Sequence, residues 1–143
     1  METLCFSLLI SSSKERVWSI LWEDASFEDW ASIIDEGTIK KGKIEEGEQV
    51  VFMSMNGGYG VNSLVKTCVP NELVVFFHHT DTQSFGQQER DDEWSGSIES
   101  YELSEFNGQT KLMLTTQVVI ELVDVFNERL PLALKRIKAL AEN

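Results

Sequence analysis

Little cysteine, little proline and few positive charges mark this chain of 143 residues, and each shortage closes off a class of function. The two cysteines, Cys5 and Cys68, sit inside strand-like runs. They form no CxxC pair and show no Cys/His metal spacing, so neither a disulfide framework nor a zinc site is expected. No histidine motif lies beside either one to generate a thiolate, which argues against a cysteine nucleophile. Buried free thiols in a reducing compartment are the expectation, and with them a cytoplasmic location. Lys and Arg number 12 against 24 Asp and Glu, for a net charge of -12. A surface of that sign repels phosphate backbones and anionic membranes, so neither nucleic acid nor membrane is an expected partner. Long apolar runs are also missing. Leu4 to Ile10 is too short to span a bilayer, and the opening Met1-Glu2 has no basic leader segment.

Several chemistries are absent by motif. His78-His79, with Asp81, is the only histidine cluster. Adjacent residues of a strand point to opposite faces, so these two histidines do not chelate one metal, and no metal or cofactor is expected. Asn56-Gly57-Gly58-Tyr59-Gly60 is glycine-rich but precedes a strand, whereas phosphate loops open a helix. Tyr59 stands at the tip of that hairpin, where a cavity mouth would be gated. The acidic run Glu89 to Glu93 lacks the central glycine of a calcium loop and reads as a solvated loop. Ser11 to Ser13 enter a helix and carry no nucleophile elbow.

What the chain does have is alternation. Hydrophobic residues make up 42% of it and aromatics 10%, enough for the core of one domain spanning 1–143. Leu4, Phe6, Leu8 and Ile10 repeat at strand period. Ser12 and Glu15 have capping-box spacing and start a first helix; Phe27, Trp30, Ala31 and Ile34 mark a second, with Asp24 or Ser26 as its cap. Gln49–Met55 and Val61–Val69 pair across Asn56-Gly57, and Pro70-Asn71 turns the chain into the apolar run Leu73–His79. Trp94–Leu103 and Gln109–Val118 pair across a second such turn, Asn107-Gly108. Val119, Val123, Phe126, Leu130, Leu134, Ile137 and Leu140 then recur at steps of three and four, the stripe of one long helix. Pro131 falls inside it, so a kink near residues 127 to 131 is expected. Strands joined by tight turns are antiparallel neighbours. The fold class is therefore α+β: a curved antiparallel sheet, two short N-terminal helices, and a long C-terminal helix gripped by the sheet.

At this point the chain resembles the START-like, helix-grip proteins of the SRPBCC superfamily. Within it the likeness is to the branch named after the activator of the heat-shock-chaperone ATPase. The residues that carry it run in order: Ser12 to Trp18 at the first helix; Phe27 and Trp30; Gly42 and Gly47-Glu48; Tyr101-Glu102-Leu103 with Gly108 to Leu112; and Pro131 to Lys138 in the last helix. The resemblance covers essentially the whole chain. It implies a hydrophobic cavity between sheet and helix. It supplies no catalytic residue, because one fold hosts many functions.

Binding of a small hydrophobic or amphipathic ligand in that cavity is the leading expectation. The expected lining comprises Trp30 at the rim, Phe76 and His78, then Trp94, Ile98, Glu99 and Tyr101. Val123, Phe126 and Leu130 complete it from the long helix. Small residues at Ser63, Gly96 and Ser100 leave room. Phe52 and Met53 are further large groups, of which alternation lets only one point in. For the strand 94–103 two registers stand open. Either Glu99, Tyr101 and Leu103 face inward, or Trp94, Gly96 and Ile98 do. An inward Glu99 would have its pKa raised by desolvation. Two other functions stand beside the binder. One is a cyclase- or dehydratase-type enzyme using Glu99 or His78. The other is a chaperone co-factor-like protein–protein role, which the family name implies. The expected state is a monomer or weak homodimer.

Overall fold

The computed structural model describes residues 1–56, 58–90 and 93–143. The elements follow in the order β1 (Glu2–Ile10), α1 (Lys14–Trp22), α2 (Asp24–Ala31), β2 (Thr38–Lys41), β3 (Gln49–Ser54), β4 (Gly60–Val69) and β5 (Leu73–Gln83). There follow β6 (Gln88–Glu89), β7 (Ile98–Phe106), β8 (Gln109–Val118), a single 3-10 turn at Ile120–Leu122 and α3 (Val123–Glu142). The strands form one antiparallel sheet in the order β1-β8-β7-β5-β4-β3-β2, with β6 paired to the end of β5. This is the α+β helix-grip arrangement that the patterning predicts. No helix among the described residues is long and apolar enough to cross a membrane.

Local chemistry explains where the elements turn. Phe106 pairs with Gln109 around Asn107 and Gly108, whose φ values of 52° and 76° are the two positive angles of a type I′ turn. Given that turn, the whole β7–β8 register follows, so Glu99 faces Thr116 and Tyr101 faces Leu114. The other Asn-Gly pair includes Gly57, which lies outside the described residues, as do Asp91 and Asp92 of the acidic run. Gly60 is required by close approach: a Cβ there would meet the Phe52 carbonyl oxygen at 2.2 Å. Two bulges, at Asn62/Ser63 and Val65/Thr67, interrupt the β4–β5 ladder. Bulges bend a strand and increase its twist, which curls the sheet around α3.

Some boundaries differ from expectation. The cap of α1 is Ser13, whose hydroxyl accepts from the Arg16 N–H at 3.1 Å. The helix thus starts one residue later than a Ser12–Glu15 box would place it. Glu23 stands at the cap of α2 without a side-chain cap bond, and Ser26 instead bonds back to the Ser19 and Glu23 carbonyls. Residues 94–97 lie in a turn, not in β7: the buried Asp81 carboxylate accepts from the Glu93 and Trp94 N–H groups, while Gly96 and Ser97 exchange backbone bonds with His78. Cys5 is exposed on the edge strand and Cys68 half-buried, so neither is a core thiol.

The core lies between the concave sheet face and the three helices. Leu112 and Leu114 of β8, Tyr101 and Leu103 of β7, and Val74 and Phe76 of β5 alternate inward. Leu130, Ala133, Leu134, Ile137 and Ala141 meet them from α3. The helix runs unbroken through Pro131 over about 30 Å, at 1.5 Å per residue. Trp22 sits at the hub, with Tyr101 and Phe76 rings 4.9 Å and 5.4 Å away. Arg136 forks onto Asp29 at 2.7 Å and 2.9 Å, tying α3 to α2.

Candidate ligand cavity

One end of the sheet–helix interface is not filled. There a cavity of about 250 Å³ opens between α2, α3 and the sheet. Phe27, Trp30 and Ala31 of α2, with Ile34 just beyond, form one side, and Phe126 and Leu130 of α3 form another. The sheet contributes Phe52 from β3, Val61 from β4, His78 from β5, Glu99 and Tyr101 from β7, and Leu114 and Thr116 from β8. Trp94, Arg90 and Tyr59 approach from the loops. Leu130 and Phe126 are a helical turn apart on one face, and the curl of the sheet near the bulges holds the strands away from them.

The residues expected at the site divide cleanly. Trp30, His78, Trp94, Glu99, Tyr101, Phe126 and Leu130 lie on the cavity wall; Phe76, Ile98 and Val123 do not. Phe76 is fully buried one layer deeper, edge-on to Trp22 and Phe52. Ile98 alternates with Glu99 and so points to the outer face, where the Gln117 side chain accepts from its N–H at 2.9 Å. That settles the register: Glu99, Tyr101 and Leu103 are the inward set. Val123 is half-buried in the first turn of α3, away from the opening. The small residues do not leave the room. Ser100 shares the outer face with Ile98, Gly96 is in the turn before β7, and Ser63 is fully buried against His78.

Trp30 is not a rim residue. It is 2% exposed, and its indole N–H donates to the Leu21 carbonyl at 3.2 Å, which fixes the ring between α1 and α2. An exposed aromatic on the wall is Tyr59, with the Arg90 guanidinium 5.1 Å above its ring. Arg90 also donates from Nε to the Thr82 carbonyl at 3.0 Å and lies 3.5 Å from the Asp81 carboxylate. Met53 borders the cavity as well as Phe52, although the two are adjacent in β3.

The polar part of the wall is built around Glu99. Its Oε2 accepts from the Tyr101 hydroxyl at 2.6 Å, and its Oε1 faces Thr116 Oγ1 at 3.5 Å and His78 Nε2 at 3.6 Å. His78 Nδ1 lies 2.5 Å from the Ser63 hydroxyl. With the hydroxyl donating to Nδ1, the ring carries its proton on Nε2, toward Glu99. Glu99 is deep beneath protein atoms, yet 26% of its side chain is accessible, because it borders the cavity. Burial alone raises its pKa. The adjoining His78, then the Tyr101 and Thr116 hydroxyls, together outweigh that burial and hold the carboxyl below its ordinary value. The expected rise is therefore overturned, because the desolvated carboxylate is surrounded by donors. Tyr101 shifts the other way: burial, and then the Glu99 charge and hydrogen bond, push its hydroxyl well above the usual phenol range. Across the cavity, burial raises Asp35 despite the nearby Arg129 and a hydrogen bond from Ser54. His79 points away, its ring edge-on to Phe77. Among the described residues no three His, Cys, Asp or Glu side chains converge to hold a metal.

No family model matches the chain, and no curated protein matches it in sequence. Solved structures do. A Mesorhizobium loti protein of known crystal structure is 16% identical, with a TM-score of 0.74 over 97% of this chain and 96% of its own. The Aha1 dimer from Colwellia psychrerythraea is 19% identical, with a TM-score of 0.71 over 99% of this chain and 97% of its own. CalU16 from Micromonospora echinospora is 15% identical, with a TM-score of 0.66 over 97% of this chain and 75% of its own. The chain has the helix-grip fold. Its likeness to the Aha1 type, seen first in sequence motifs, holds at the level of the fold. Identities this low carry no activity from those proteins to this one.

Proposed function

We propose that this protein, a single domain over residues 1–143, binds a small hydrophobic or amphipathic molecule in the cavity between sheet and C-terminal helix. The observation that carries the reading is the cavity itself: about 250 Å³, walled mainly by aromatic and aliphatic side chains with a few convergent polar groups. That is the usual make-up of a small-molecule site. Water in such a space is poorly satisfied, and a guest that displaces it gains about 25 cal/mol for each Å² of apolar surface buried. The cytoplasm is the proposed location, in keeping with two free cysteines. Native mass spectrometry of freshly purified protein should show a noncovalent adduct that leaves unchanged on activation. A lipophilic probe should raise the melting temperature and shift tryptophan emission, since Trp30 and Trp94 stand on the wall. No adduct, and no response to such a probe, would sink the reading.

A second reading has one observation behind it. Tyr101 is hydrogen-bonded to Glu99 at 2.6 Å and His78 Nε2 stands 3.6 Å from the same carboxylate, an arrangement able to exchange a proton with a bound molecule. Turnover that disappears in Glu99→Gln while binding persists would favour the enzyme. The Colwellia neighbour was solved as a dimer, which makes a homodimer the first assembly to test by light scattering. A chaperone co-factor-like protein–protein role rests on the family resemblance alone.

A further inference from the structure

We propose that the cavity takes an arylalkylamine: an aromatic ring system with a short chain whose protonated amine seats against Glu99. This rests on the ligand-binding reading above and narrows it to a chemical class.

Size limits the guest first. An apolar void of about 150 Å³ accommodates benzene. The cavity here, about 250 Å³, has room for one or two rings and a short tail, not for a sterol or a long acyl chain. Its aromatic walls, Phe27, Trp30, Phe52, Trp94 and Phe126, present ring faces and edges that hold another ring and favour a cation near it.

Charge decides the polar end. An ionised carboxylate offers about four acceptor sites. Oε2 of Glu99 has one close donor, Tyr101, whereas the nearest donors to Oε1 stand at 3.5 Å and 3.6 Å. Acceptor capacity therefore remains on a side chain whose accessible part faces the cavity. Arg90, also on the wall, has its charge balanced by the buried Asp81 carboxylate 3.5 Å away and its Nε bonded to the Thr82 carbonyl. Asp35 adds a second acid to the same wall. An anionic headgroup would meet these acids without a free counter-charge among the described residues. An ammonium brings three donors and the complementary charge, and charge-assisted hydrogen bonds are the strong kind.

Calorimetry on the intact protein with four probes of one skeleton tests this: phenethylamine, phenethyl alcohol, phenylacetate and ethylbenzene. Phenethylamine should bind about 10- to 100-fold more tightly than phenylacetate, the span a charged hydrogen bond supplies. Glu99→Gln should lower the amine to the level of the alcohol. Tyr101→Phe, which keeps the ring and frees Oε2, should widen the preference for the amine and serves as a second arm if Glu99→Gln folds poorly. Phenylacetate binding as tightly as the amine, or an amine preference that survives Glu99→Gln or vanishes in Tyr101→Phe, overturns the proposal. Binding of ethylbenzene and the alcohol with no gain for the amine overturns it while leaving the cavity reading intact. Failure of all four to bind removes both.

Discussion

Trp30→Ala should be among the most damaging single substitutions in this protein. The indole is 98% buried by the 2% exposure that remains, and it touches the Phe27, Tyr101 and Trp22 rings at centroid distances of 5.2, 6.1 and 6.3 Å. Truncating a buried Trp costs about 3–5 kcal/mol when the hole does not collapse. Collapse is blocked here, because the hole would merge with a cavity that the fold already holds open. The lost bond to the Leu21 carbonyl adds about 0.5–1.5 kcal/mol and strips an acceptor at the end of α1 of its partner. The sum is about 3.5–6.5 kcal/mol. At roughly 3 °C per kcal/mol for a domain of this size, the melting temperature should fall by about 10–20 °C. Trp30→Phe keeps most of the ring packing and loses the bond, so about 1–2 kcal/mol is expected. Urea melts of both variants measure this directly. A loss under about 1 kcal/mol for Trp30→Ala would mean that α2 is not anchored through this ring, and the wall of the cavity would have to be redrawn.

Other outcomes follow from particular contacts. Gly60→Ala should cost more than about 1 kcal/mol, since the new methyl meets the Phe52 carbonyl oxygen at 2.2 Å and the backbone must shift; a neutral melt would refute the close approach. Separating Arg136 from Asp29 by Arg136→Ala should lower the melting temperature only slightly in low salt and less in high salt, because both side chains are more than a third exposed and solvent screens the pair. Glu99 has a folded-state pKa below its unfolded value near 4.5, so its contribution is complete above that pH and is lost as pH falls through the lower folded value. Glu99→Gln should therefore flatten the acid limb of the stability curve, read from melts between about pH 3 and 6; an unchanged limb would count against the donor cage. Asp35 has the opposite sign: its raised folded-state pKa makes ionisation a cost above pH 3.8, so Asp35→Asn should hold stability level where the parent loses it.

The fold was legible because its signals are local and mutually consistent. An Asn-Gly pair flanked by alternating runs fixes a hairpin and, with it, which residues face each other across two strands. The stripe from Phe126 to Leu140 needs no tertiary knowledge to read as one helix. Boundaries were missed where a distant residue decides them. Nothing near Trp94 says that it leaves the strand; Asp81, thirteen residues earlier, pulls its N–H away. The same holds for Phe76. Its place in an apolar run shows that it is buried, but only the position of Trp22 shows that it is covered on the cavity side.

For the site, what could be read was the wall that strand parity sets, and what could not was the chemistry that neighbours set. Leu114 and Thr116 were within reach: counting back from Asn107-Gly108 pairs them with Tyr101 and Glu99. Arg90 was not, since it stands in a charged run with no period to orient it. Glu99 shows the difference most clearly. Sequence suggests an acid in an apolar strand, and the ordinary inference is that burial makes it a weaker acid. Burial is indeed the largest single influence on it, yet the sign of the net shift is set by a histidine 21 residues away and by hydroxyls on its own and the adjoining strand. A buried carboxylate kept ionised by such partners is what gives an otherwise apolar cavity a polarity, and hence a preferred orientation for whatever enters it.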